Sequence, residues 1–237
     1  PVGYQGMQSS CVGWTLGYYY KTLVERQERG WDTSVPEHQF SPAYIYNQRD
    51  TADCGADLGM SYWDGLQTLM DGAATLSDFP YDATDRCTQP SAAVQSAARA
   101  FRIASFANVF AGEGNANLTV LKQLLAGGQA IAVAVPVYTS LRTITASDPV
   151  VPRPTAGETY YGDHALLVVG YDDAVGGFRV INSWGPFWGD GGYGYLSYAF
   201  MQYEAWEGWL MTDYQGTTFN GSVTLDGALA PSGRSVS

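Results

Sequence analysis

Two textures divide the chain. From Val12 onward the apolar residues Leu16, Tyr19, Tyr20, Leu23 and Val24 recur at helical spacing, and Gly30 offers a stop. Cys11 therefore stands at the start of a predicted helix. A second helix is expected after the stretch FSP, with Pro42 in its first turn and Tyr44, Ile45 and Tyr46 along it. Helical patterns also cover SYWDGLQTLMDG, PSAAVQSAARAF and NLTVLKQLLAGG, the last stopped by Gly127 and Gly128. After Gly128 the pattern turns to strand: QAIAVAVPVY, then HALLVVGYDD, a turn at AVGG, and FRVINSW. Between the first two strands, the prolines and small polar residues of 139–163 read as a long surface loop. Beyond Tyr214 the small, polar sequence reads as a tail or linker. Helices first and strands second favour an α+β fold over alternating βαβ units. The division expected is 1–105 for a helical lobe, 106–214 for a sheet lobe and 215–237 for the tail, with no internal repeat.

Composition narrows the partners. A chain of 237 residues, 46% of them hydrophobic, can bury a sizeable core as one domain or two packed lobes. No apolar run reaches the roughly 18 residues of a membrane span, so membrane insertion is not expected. A formal charge of −11 without a basic cluster repels phosphate backbones and argues against nucleic acid. The chain opens on Pro1 rather than Met, which suggests removal of an upstream segment. Of the three cysteines, one economical reading pairs Cys54 with Cys87, leaves Cys11 free and places the protein in an oxidising, extracytoplasmic setting. The other reading is three reduced thiols. The sequons at Asn117 and Asn220 matter only in a eukaryotic secretory route and read as chance occurrences.

The chemistry follows largely by elimination. Two histidines and no CxxC pair leave no basis for a zinc site, and neither metal nor cofactor is expected. His38 lies in a proline-flanked loop and reads as a surface histidine. His164 opens an apolar strand, and a hairpin turn near 173–177 returns the chain so that Asn182 lies near it. An Asn182 amide oxygen accepting from the imidazole would hold one tautomer in place. Lowering a thiol from about 8.5 to about 4 takes roughly 6 kcal/mol, whereas a helix N-terminus supplies roughly 0.3 to 2. A reactive Cys11 therefore needs a histidine, and His164 is the plausible one. The Gln5 side chain and the Cys11 backbone N–H could serve as donors to an oxyanion.

In these segments the sequence resembles the papain-like cysteine peptidases. PVGYQG followed by SSC looks like the family's oxyanion glutamine and nucleophile, GDHALLVVGYDD like its histidine strand, and INSWGPFWGDGGYGYL like its asparagine and tryptophan segment. The resemblance implies a two-lobed fold: a helical left lobe and an antiparallel, barrel-like right lobe, with the cleft between them. It implies Cys11 as nucleophile, His164 as general base and acid, Asn182 as orienter, Gln5 as oxyanion donor and Trp184 as a shield over the His164–Asn182 bond. Asp163 either tunes the pair or is a solvated loop carboxylate. By alignment with the family, the backbone of Gly59 and Met60 would pair with an extended substrate, and Ser61 and Ala165 would line the pocket for the second residue before the scissile bond; Met60 and Ser61 could equally be packing residues at a helix start. Two departures stand out: Gln8 and Val12 occupy positions where the family commonly has a cysteine and an aromatic. The implied function is a secreted thiol endopeptidase made as a zymogen. Its partners would be protein or peptide substrates and a propeptide or N-terminal fragment as inhibitor. The alternatives are a transamidase or peptide ligase on the same thioester chemistry, and a non-catalytic binding module.

Overall fold

The computed structural model describes residues 1–50, 54–213 and Val236. The first helix begins at Cys11, as the pattern predicts, but its winding changes along its length. Cys11–Gly13 is α-helical (α1), Trp14–Lys21 winds as a π-helix, and Thr22–Arg29 is α-helical again (α2). Gly30 ends it in the left-handed conformation at φ 66°, with its N–H on the Arg26 carbonyl. Every residue from Cys11 to Thr22 is buried. This is a central helix enclosed on all sides, and the amphipathic reading holds only for its last turns. Gly13 lets a neighbour approach closely: a Cβ there would lie 2.5 Å from the Pro42 carbonyl oxygen of the next helix.

Further α-helices before the sheet are Pro42–Tyr46 (α3), Tyr62–Asp71 (α4) and Ala92–Ala98 (α5), and Leu118–Ala126 (α6) follows its first strand. Ser41, Ser61, Ser91 and Asn117 cap these four, each accepting a backbone N–H through its side chain. A disulfide joins Cys54 and Cys87, with Cα atoms 5.2 Å apart, within the range a bridge requires. It staples the segment before α4 to the one before α5, and Cys11 is the free cysteine.

The strands are Ile103–Ala111 (β1), Ile131–Tyr138 (β2), Val150–Val151 (β3), Tyr160–Asp172 (β4), Gly177–Ile181 (β5), Tyr193–Ser197 (β6) and Glu207–Asp213 (β7). They form one sheet in the order β1-β7-β2-β4-β5-β6-β3, antiparallel except where β3 pairs with β6. The fold is α+β. The right lobe takes the form of an open sheet rather than a closed barrel, with β1 and the two-residue β3 at its edges. The pleat sorts the two cores. On β2 the small Ala132 and Ala134 share the cluster of the central helix, while Ile131, Val133, Val135 and Val137 belong to a second cluster with Leu121, Leu124 and Phe200.

The stretch 139–163 is not a surface loop. Thr139–Thr143 is helical (α7), Val150–Val151 is a strand, and β4 begins at Tyr160. Its apolar residues decide this: Leu141, Ile144 and Val151 are buried in the second cluster, and the Trp188 indole N–H donates to the Leu141 carbonyl at 2.8 Å. The predicted tail, 215–237, lies outside the described residues apart from Val236.

The buried Lys21 fastens the central helix to the last strand. Its ammonium donates to Glu25 Oε1 at 2.7 Å and to Asp213 at the end of β7, while Arg29 bonds the other Glu25 oxygen. No helix among the described residues is long and apolar enough to cross a membrane.

Candidate active site

The hairpin of β4 and β5 sets the geometry. Leu167 pairs with Ile181 and Val168 with Val180, so Asn182, one residue past β5, lies beside the start of the apolar run that His164 opens. His164 Nε2–H donates to Asn182 Oδ1 at 2.7 Å, with both residues buried. This bond fixes the tautomer and leaves Nδ1 as the ring's acceptor. The Trp184 ring stacks on the imidazole at 4.5 Å and 27°, and Trp188 meets Trp184 edge-on. The backbone carbonyl of Asn182 accepts from Tyr19 Oη at 2.9 Å, which ties this turn to the central helix.

Cys11 comes to this group because α1 packs against β4. Its thiol is buried, and the backbone N–H of Ala165, the residue after His164, points at it together with those of Val12 and Cys11 itself. Burial pushes the Cys11 thiol up to about 12 against the pull of these N–H groups, and the charge on Asp163 adds to the rise. Burial also lowers His164 to about 4, opposed by the hydrogen bond to Asn182. In this enclosed state the thiol and the imidazole are both neutral. The ion pair that a reactive Cys11 requires is opposed by desolvation, which the helix terminus alone does not overcome.

Gln5 is anchored from three sides. Its backbone N–H donates to the Ser183 carbonyl at 2.8 Å, its Oε1 accepts from Ser183 Oγ at 2.7 Å, and its carbonyl accepts from Tyr81 Oη at 2.7 Å. One N–H of Nε2 donates to the Gln8 carbonyl at 2.8 Å, leaving the second available to a ligand. Ser183 is a residue the sequence reading missed; its place between Asn182 and Trp184 is the signal that could have drawn attention to it. Gln8, at the position where the family commonly has a cysteine, instead donates to the Asp85 carbonyl at 3.0 Å and holds the 82–85 loop against this segment.

Asp163 is a buried residue of β4, in register with Pro136, so it is not a solvated loop carboxylate. Ala165 and Met60 are buried in the same apolar cluster as Cys11, and Gly59 is half-buried. Ser61 is the α4 cap, with its Oγ engaged by Asp64. His38 sits apart, its ring against Trp31.

A model of the papain family of cysteine proteases matches residues 39–204, a span that contains His164 and Asn182 and begins after Cys11. The chain belongs to the papain family. Xylellain, a cysteine protease from Xylella fastidiosa, superimposes with a TM-score of 0.74 at 24% identity, over 90% of this chain and 82% of its own. Bromelain from Ananas comosus, solved with the E64 inhibitor, gives a TM-score of 0.67 at 17% identity, over 90% and 93%. At these identities the likeness speaks to the papain-like fold. An uncharacterized peptidase C1-like protein of Acanthamoeba polyphaga mimivirus is 24% identical over 204 residues, 83% of this chain. The chain spans 64% of that relative's length.

Proposed function

We propose that this papain-family chain is a cysteine endopeptidase acting on protein or peptide substrates in an extracytoplasmic setting. The observation that carries the reading is the His164–Asn182 bond of 2.7 Å beneath Trp184, with Cys11 at a helix start against the next residue of the same strand. The Cys54–Cys87 disulfide supports the oxidising compartment. A propeptide or N-terminal fragment remains the proposed inhibitor.

In this reading Nδ1 of His164 takes the Cys11 proton and the sulfur attacks the substrate carbonyl carbon. The resulting oxyanion accepts from the free Gln5 N–H and from the Cys11 backbone N–H. Collapse of the tetrahedral intermediate breaks the C–N bond, with the leaving amine taking the proton from Nδ1, and a thioester remains on Cys11. Nδ1 then removes a proton from water as its oxygen attacks the thioester. The second intermediate expels sulfur, which recovers the proton, and the acid departs. Asp163 opposes the thiolate and is proposed to favour return to the thiol. Substrate would pair as an added strand with the backbone of Gly59 and Met60, its apolar side chain near Ala165.

The test is wild type beside Cys11→Ala on unfolded protein and fluorogenic peptides from pH 4 to 8. Loss of hydrolysis in the variant is expected, and retained hydrolysis would end the nucleophile assignment. Product analysis with an added amine separates hydrolysis from the transamidase or ligase alternative, and inactivity of the wild type would favour the binding module.

A further inference from the structure

Val236 lies far along the chain from α4, yet it pairs with Met60 immediately before it. The Met60 N–H donates to the Val236 carbonyl at 3.1 Å and the Val236 N–H donates to the Met60 carbonyl at 3.1 Å, a reciprocal antiparallel bridge. This exchange is the smallest unit of antiparallel strand pairing, and it satisfies both backbone groups of Met60. Val236 is fully buried and belongs to the apolar cluster that contains Cys11, Met60, Tyr62, Ala134 and Ala165. A valine anchored through its backbone on one side and buried through its side chain on the other is bound in the manner of a peptide ligand added to an edge.

We infer that Val236 is an intramolecular ligand of the peptide-binding edge at Met60, so that an incoming substrate must displace it. The inference rests on the reading of this cleft as a peptidase's. It gives the buried Cys11 and His164 a rationale: the cleft is occupied, and its reacting groups are neutral for want of water. A tethered ligand acts at an effective concentration of order millimolar, so a segment binding with a Kd of about 0.1 mM holds the site about 90% of the time. Its release raises access roughly tenfold.

The test uses the full chain as wild type, Val236→Asp, Val236→Pro, which removes the N–H donor, and Val236→Ile, which keeps both anchors. Cys11 is the free cysteine, so its alkylation by iodoacetamide, followed by intact mass, reads cleft access without requiring turnover. The Asp and Pro variants should label about tenfold faster and show about tenfold lower KM on a fluorogenic peptide, with Ile like wild type. A synthetic peptide spanning 229–237 should slow labelling of the Asp variant. Equal labelling rates and KM across the four proteins would overturn the inference while leaving a working peptidase in place. Faster labelling that the added peptide does not slow would also count against it. Faster, peptide-sensitive labelling with no hydrolysis by any of the four would support the occupancy and remove the peptidase reading instead.

Discussion

The buried histidine makes an acid-stability prediction whose sign reports the resting charge state of the site. His164 is lowered to about 4 by burial, while an unfolded histidine titrates near 6.5. Between those values the unfolded chain binds a proton that the folded chain refuses, so the folded state loses stability as pH falls through this window. The difference is worth about 3 kcal/mol, fully present above pH 6.5 and spent near pH 4. Carboxylates titrate in the same range, so the informative quantity is the stability of wild type minus that of His164→Gln, measured by urea unfolding with tryptophan fluorescence at pH 7, 6, 5 and 4. Wild type should lose about 3 kcal/mol relative to the variant from pH 7 to 4. If the resting enzyme instead held a thiolate and an imidazolium, the folded histidine would be raised, and wild type would gain on the variant as pH fell. Parallel curves, or that opposite slope, would refute the desolvated neutral pair.

Other expectations follow from the same contacts. Gln5→Ala should lower kcat about 10²- to 10³-fold through loss of one oxyanion donor, and an unchanged rate in steady-state assays would remove Gln5 from the chemistry. Lys21→Met leaves Glu25 and Asp213 buried without their shared ammonium and should cost about 3 to 5 kcal/mol in urea unfolding, with partial recovery when Asp213→Leu is added. The Cys54–Cys87 bridge closes a separation of 33 residues, so Cys54→Ser with Cys87→Ser should cost about 4 kcal/mol and roughly 10 °C in Tm, read by calorimetry.

Much of the site was legible because its determinants are local. Apolar alternation, a glycine turn and an asparagine just past the second strand locate His164 and Asn182 through one hairpin, and Pro42 marks the first turn of α3. What escaped depends on distant partners. β1 and β7 stabilise each other across about a hundred residues, and neither is continuously apolar. The segment around Leu141 and Val151 looks like a loop until Trp188 and β6 supply its packing and its pairing. Lys21 reads as the polar face of a helix, and its burial becomes intelligible only once Asp213 is beside it. The neutral state of Cys11 escaped for a related reason: the sequence names the charges that favour a thiolate but not the enclosure that opposes it.

The contacts of Gln5 also bear on when the protein acquires its chemistry during synthesis. The hydroxyl that orients the Gln5 amide lies 178 positions after it, and the Gly3 carbonyl finds its partner only at Gly185. A nascent chain still short of Asn182 therefore carries the thiol without its orienting asparagine and without the Ser183 hydroxyl that fixes the Gln5 amide. Ribosome-stalled chains ending before and after this segment should differ sharply in their reactivity toward a peptidyl electrophile, which would keep the chain chemically silent until the segment around Ser183 has been made.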